Sequence, residues 1–221
     1  LYGTKADGSD KVDFASQAPT NLAWLDDARY LWPRTDPETK VLTWLAVDAV
    51  SGKSAPFLDA ARAEAALAEL PGMKKEAALA TLFKDAGHMD RARAATVFAW
   101  KDDLWRYAFG AAKATRLTNT PEAEETDYGF SPDGKHVSFV RGNDLYVVDV
   151  EPVVEHRLTT DGGEKVLNGK LDWLYQEEIY GRGNWRGYWW APNSRGIAYL
   201  SLDESKVPSF TVLDHRTLHQ D

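Results

Sequence analysis

Phe130-Ser131-Pro132-Asp133-Gly134-Lys135-His136-Val137-Ser138-Phe139, followed by Asn143-Asp144-Leu145-Tyr146-Val147-Val148-Asp149, is the stretch that decides the fold. Pro fixes φ at the second turn position and Gly supplies positive φ, so Pro132-Asp133-Gly134 predicts a hairpin turn. Alternation follows the turn, with Val137 and Phe139 on one face and His136 and Ser138 on the other, the pattern of a strand with one face buried. The unit recurs. One copy reads Trp24-Leu25-Asp26-Asp27-Ala28-Arg29-Tyr30-Leu31, then a strand at Val41–Val47, then Asp48 and a Gly52-Lys53 turn. Another reads Trp190-Ala191-Pro192-Asn193-Ser194-Arg195-Gly196-Ile197-Ala198-Tyr199, then Phe210–Leu213 and Asp214. A partial copy runs from Phe98 to Tyr107 and is followed by Arg116-Leu117-Thr118.

Repeated antiparallel hairpins, each opened by an aromatic residue, fit the blades of a β-propeller, in which each small sheet covers its neighbour's apolar face. An immunoglobulin-like sandwich is the structural competitor, but it does not require one turn signature to recur in every unit. The fold class expected is all-β: a partial β-propeller of about four blades, built of four-stranded antiparallel sheets. Such an array is expected to be open, and its uncovered edge favours association with the rest of a propeller or with another copy as a homo-oligomer. Residues 57–95 differ in composition, being rich in Ala, Leu, Lys, Glu and Arg with Thr81 the one β-branched residue, and read as a helical insertion. Helices are predicted over Asp59–Leu70 and Met73–Ala86, divided by Pro71-Gly72, with Met73, Ala77, Ala80 and Phe83 near one face. Packing on the propeller rim is the economical reading; an arm at a substrate entrance or a subunit contact is the sharper one.

A chain of 221 residues with 43% apolar residues and nine Trp has the material for a packed core. The formal charge of −8, with no basic block, argues against nucleic acid as a partner. No run approaches the roughly 18 apolar residues of a membrane span. The absence of cysteine excludes disulfides, zinc knuckles and thiol nucleophiles. The chain starts at Leu1 without Met or an apolar leader, which reads as a processed or trimmed N-terminus and is compatible with a periplasmic or secreted enzyme.

The segment Leu171-Asp172-Trp173-Leu174-Tyr175-Gln176-Glu177-Glu178-Ile179-Tyr180 places two adjacent carboxylates among three large aromatics. Neighbouring side chains on a strand point to opposite faces, so Glu177 and Glu178 share a target only on a helical turn or tight bend. A short helical turn is therefore predicted near Tyr175–Tyr180. Two carboxylates held together repel, a cost relieved when a cation sits between them. A primary ammonium offers three donors on one compact charge, which two carboxylates and a further acceptor satisfy. The pair thus suits the free N-terminus of a peptide, and selects strongly only where it is sheltered from water. A Glu-Glu pair taken alone is an ordinary solvated surface, so the residues around it decide.

Those residues carry a resemblance. Asp-Trp-Leu-Tyr-Gln-Glu-Glu at 172–178, followed by Gly187-Tyr188-Trp189-Trp190-Ala191-Pro192, resembles the double-glutamate motif and following blade of dipeptidyl peptidase IV and its relatives in the prolyl oligopeptidase family. Ser131-Pro132-Asp133-Gly134, Arg157-Leu158-Thr159 and Val207-Pro208 support it, and it extends over about residues 96–215. The resemblance implies that Glu177 and Glu178 bind the α-amine of a peptide substrate, and that the reaction is serine-dependent release of N-terminal dipeptides with Pro or Ala second. The family's nucleophile lies in a Gly-x-Ser-x-Gly elbow of a C-terminal α/β-hydrolase domain. No such pentapeptide occurs here, so the propeller region is expected to occupy residues 1–221 and the catalytic domain to lie outside this chain.

Two departures from the family pattern stand out. The stretch Ile179–Arg186 is a few residues longer than expected, and the Trp100–Tyr107 region is too short to assign the role of the arginine that some relatives use to hold the substrate carbonyl. Arg182 and Arg186 lie near by position but read as solvated arginines. Neither a metal nor a cofactor is expected: His215 and His219 are four apart, but Arg216 stands where the zincin pattern needs Glu. Gly181-Arg182-Gly183-Asn184-Trp185-Arg186-Gly187 misses the dinucleotide spacing and reads as a loop, and the Trp residues read as core. The alternative function is a non-catalytic propeller that serves as a protein-interaction module, which accounts for the repeats but not for the double glutamate.

Overall fold

The computed structural model describes residues 2–4, 11–13, 22–35, 38, 40, 42–82, 88–120 and 122–208. Strands β1 (Tyr2–Thr4) and β2 (Lys11–Asp13) pair as a small antiparallel ladder. The first meander sheet is β3 (Ala23–Trp24), β4 (Arg29–Thr35), β5 (Leu42–Asp48) and β6 (Ser54–Pro56). The second has three strands, β7 (Ala95–Trp100), β8 (Asp103–Ala108) and β9 (Thr115–Arg116). The third is β10 (Glu125–Phe130), β11 (His136–Arg141), β12 (Asp144–Val150) and β13 (Val153–Arg157). The last comprises β14 (Val166–Asn168), β15 (Tyr188–Trp190), β16 (Ile197–Tyr199) and β17 (Ser201–Asp203). Here β14 pairs with β17 and β15 with β16. Among the described residues no strand of the last sheet pairs with the first, so the array is an open, partial propeller. The expected strand at Phe210–Leu213 lies outside the described residues, as do His215 and His219.

The repeat is carried by two local devices. In the first, a backbone turn closes with Ser131 N–H donating to the His136 carbonyl at 2.9 Å, Asp90 N–H to Ala95 at 3.0 Å and Ala191 N–H to Gly196 at 2.8 Å. Each turn needs one left-handed residue: Gly134, Arg93 and Ser194, with φ of 72°, 55° and 59°. The second sheet's turn is therefore Asp90–Arg93, which moves the partial repeat. Phe98 corresponds to Phe139 inside a strand and does not open the blade. With neither Gly nor Pro at Asp90–Arg93, the sequence gives that turn no signal.

The second device joins the outer strands. Arg116 pairs with buried Asp103, and Thr118 Oγ1 accepts the Leu104 N–H at 2.8 Å. One sheet later Arg157 pairs with buried Asp144, and Thr159 Oγ1 accepts the Leu145 N–H at 3.0 Å. The Arg-Leu-Thr tripeptides are thus clamps on the preceding strand's Asp-Leu, holding a buried charge by satisfying it.

Packing runs from sheet to sheet. Val97 and Leu104 of the second sheet share one apolar cluster with Val137, Phe139, Tyr146 and Val148 of the third. On the third sheet's other face, Val140 and Leu145 pack with Tyr188 of the last. The expectation of one buried face is therefore corrected for β11. Ser138, on the face opposite Phe139, is also fully buried and receives the Trp190 Nε1–H at 2.8 Å. Lying between two neighbouring sheets, β11 is covered from both sides.

Helices α1 (Ala60–Ala68) and α2 (Lys75–Leu82) lie between the first two sheets. Asp59 caps α1, its Oδ1 accepting the Arg62 N–H at 3.0 Å. Ala63, Ala66 and Leu67 of α1 join Leu31 and Trp44 of the first sheet and Phe98 and Tyr107 of the second in one cluster. The helices are thus core elements, deeper than a rim excursion. The buried face of α2 is Ala78, Leu79 and Leu82, while Ala80 is exposed. Met73 precedes the helix, so its position did not set the helical phase; Phe83 lies outside the described residues. The insertion also ends before Met89, where the second sheet's turn begins, and not at 95. Among the described residues no helix is long and apolar enough to cross a membrane.

Candidate functional site

In the last sheet, β14 and β15 are two halves of one strand position, both facing the β16–β17 stretch. Leu200 joins them: its carbonyl accepts the Gly169 N–H and its N–H donates to the Gly187 carbonyl, each at 2.9 Å. The chain leaves the sheet at Gly169 and returns at Gly187, and the neck of this excursion closes with Gly187 N–H to the Gly169 carbonyl at 2.9 Å and Leu171 N–H to Trp185 at 2.8 Å. Gly187 sits in close quarters there, because a Cβ would lie 3.1 Å from the Gly169 carbonyl carbon and 3.2 Å from that of Lys170. In the third sheet, the corresponding place in β10 holds a bulge between Thr126 and Gly129. Tyr188 Oη donates to the Asp127 carbonyl within that bulge, so the neck of the excursion rests on its neighbour.

At the tip of the excursion the backbone coils. Asp172 Oδ1 accepts the Tyr175 N–H at 2.7 Å and starts the coil, and Tyr180 N–H reaches back to the Tyr175 carbonyl at 2.8 Å, an i→i+5 bond. Residues Tyr175–Ile179 form this π-helical turn. The helical turn expected near Tyr175–Tyr180 is present, so Glu177 and Glu178 are not thrown to opposite faces as they would be on a strand. The Tyr175 and Tyr180 rings stack at 6.2 Å, and Tyr180 meets Trp189 at 6.1 Å, which ties the turn to β15.

Glu177 is half-buried and Glu178 exposed. Arg182 Nη2 lies 2.7 Å from Glu177 Oε1, with the arginine side chain 80% exposed and the glutamate 30%. Gln176 Oε1 accepts the Gly183 N–H at 2.8 Å, fastening the following loop to the turn. Arg182 is thus paired, not merely solvated. Arg186 is part-buried: its guanidinium lies 4.4 Å from the Tyr188 ring centre, and its Nε is buried with no hydrogen-bond partner among the described residues. Neither glutamate lines the cavities described, of which a space of about 670 Å³ is walled by Arg186, Tyr188, Trp189 and Trp190 on the excursion's flank. Within this chain Glu178 faces solvent, while Glu177 keeps 30% of its side chain exposed. Trp173, Trp185, Trp189 and, at the first repeat, Trp24 are also exposed, so the reading of the tryptophans as core holds for Trp44 and not for these.

One residue near the site had no signature in the sequence. Asp127 adopts φ 54° in the β10 bulge, and its Oδ2 is buried without a hydrogen-bond partner among the described residues. Burial pushes its carboxyl above the usual range against the opposing pull of Thr126, Lys170, Arg186 and His88. Among the described residues no group of three or more His, Asp or Glu is placed to hold a metal ion.

The model of the dipeptidyl peptidase IV (DPP IV) N-terminal region matches residues 96–220, more than half of the chain. The chain belongs to the DPP IV N-terminal region family. That match begins at Thr96 in β7 and takes in the second, third and last sheets with the excursion. A Talaromyces stipitatus protein named "Probable dipeptidyl-aminopeptidase B" is 33% identical over a 118-residue alignment that covers 49% of this chain and 13% of that protein. An Aspergillus flavus protein named "Probable dipeptidyl peptidase 4" is 45% identical over 83 residues, 38% of this chain and 10% of the relative. The matched part of the chain therefore spans only about a tenth of the length of these curated relatives. The crystal structure of Porphyromonas gingivalis dipeptidyl peptidase 4 superposes with a TM-score of 0.61 at 21% identity, covering 85% of this chain and 26% of that one. This likeness is one of fold, and it places the DPP IV N-terminal region described here among propellers.

Proposed function

We propose that this chain is the substrate-selecting propeller of a serine exopeptidase that removes N-terminal dipeptides, with Pro or Ala second, and that Glu177 and Glu178 bind the free α-amine. The observation that carries the reading is the π-helical turn at Tyr175–Ile179, which sets two neighbouring carboxylates on one coil of backbone in a DPP IV N-terminal region. An ammonium held by both carboxylates fixes the peptide's register, so that the bond two residues along meets the nucleophile. The serine belongs to a C-terminal α/β-hydrolase domain of the same protein. That domain also supplies the cover the pair needs: an amine at an exposed carboxylate gains about 0–1 kcal/mol, and closing the site from water strengthens each contact severalfold.

In the complete enzyme, Glu177→Ala combined with Glu178→Ala is expected to lower kcat/KM on an X-Pro substrate by on the order of 10²-fold or more, since charge-assisted hydrogen bonds contribute about 1.5–3 kcal/mol each. An unchanged kcat/KM in a folded double variant would remove the glutamates from the function.

A further inference from the structure

Arg182 sits between Gly181 and Gly183, whose φ angles of 92° and 85° bend the loop back over the turn. Its guanidinium lies 2.7 Å from Glu177 Oε1, where the proposed reading places the substrate's ammonium. We infer that Arg182 is a built-in competitor of the peptide amine: it neutralises Glu177 while the site is empty and must leave when a free N-terminus binds.

This rests on the reading of Glu177 and Glu178 as the amine site, and three features favour it. Two carboxylates on consecutive residues of one turn repel, and a guanidinium on one of them relieves that cost in the empty site. The arginine side chain is 80% exposed even when paired, so it returns to water with little change in its own hydration. The loop's anchor is separate from its charge: Gly183 N–H stays on Gln176 Oε1 at 2.8 Å, so the side chain can swing without releasing the backbone. Arg182 is a specificity-setting residue. Docked, it leaves the turn one net negative charge. Withdrawn, it leaves two, and this exchange discriminates a compact ammonium with three donors from weaker cations.

The test titrates the complete enzyme, its catalytic serine changed to alanine, with Ala-Pro amide, a dipeptide amide whose one charge is its α-ammonium, by calorimetry at low and at high sodium chloride. Arg182→Gln is expected to bind about two- to fivefold tighter than the wild type at low salt, the exchange of one exposed ion pair, with the gap closing at high salt. Arg182→Lys keeps the charge and is expected to bind as the wild type does, and Arg182→Gln is expected to have no effect in a Glu177→Gln background. In the complete enzyme the gain appears in KM with kcat unchanged. Equal or weaker binding by Arg182→Gln would overturn the competitor role. The underlying reading fails separately if the wild type binds no amide, or binds it as well after Glu177→Gln and Glu178→Gln together.

Discussion

Asp144 is a charge with 1% of its surface exposed, and the residues around it explain why it stays charged. Burial alone would raise its carboxyl, but hydrogen bonds from Thr159, Arg157 and the Gly162 N–H outweigh burial and hold it below the usual range. A carboxyl lowered in the folded state contributes stability above its unfolded pKa and loses it as pH falls through the folded one. Acid unfolding should therefore draw on this clamp, and an Asp144→Asn variant, though less stable at pH 7, should show a flatter stability profile below about pH 4. Thr159→Val strands the buried Leu145 N–H and is expected to cost about 1–3 kcal/mol in urea unfolding. Asp127 runs the other way. Its carboxyl is raised by burial, so the wild type loses stability as pH rises through that value, and Asp127→Asn, which tolerates the positive φ, should gain on the wild type from acid toward neutral pH. The urea midpoints of both proteins across that range check it. The Arg-Leu-Thr spacing was visible in the sequence, but its partners at Asp103 and Asp144 were not. They lie about 13 residues upstream and meet the arginines through strand pairing.

At the scale of elements, hairpins were legible where turn chemistry was explicit and were displaced where it was not. Pro132-Asp133-Gly134 named its turn, whereas Arg93 takes the same left-handed conformation without glycine, and the second sheet was read a strand too late. The coil at Tyr175–Tyr180 followed from the two glutamates, because no extended backbone aims neighbours the same way. Its π-helical form and the Arg182 contact depend on loop geometry that residue types do not encode. Gly187→Ala tests the excursion as a unit. The added Cβ meets backbone carbon of Gly169 and Lys170, which cannot turn away as a side chain would. A loss of about 1–3 kcal/mol is expected, with amide protection falling in residues 169–187 more than in the third sheet.

Across the whole molecule, stability passes through three apolar clusters that link each sheet to the next. The helices belong to the first of these, and Leu67, fully buried there, should cost about 2–5 kcal/mol when changed to Ala. Loss of the near-ultraviolet signal from Trp44 and Tyr107 together would mark that cluster as one cooperative unit. The propeller class was legible from repetition. The shelter of the glutamate pair was not, because the excursion stands at the surface of this chain and its cover belongs to the proposed hydrolase domain. The direct test of the account is a pair of kcat/KM values in the complete enzyme, for one X-Pro substrate with its amine free and with it acetylated. Acetylation removes the cation and leaves two desolvated carboxylates unpaired, so the account predicts a fall of on the order of 10²-fold or more. Comparable values for the two substrates would contradict it.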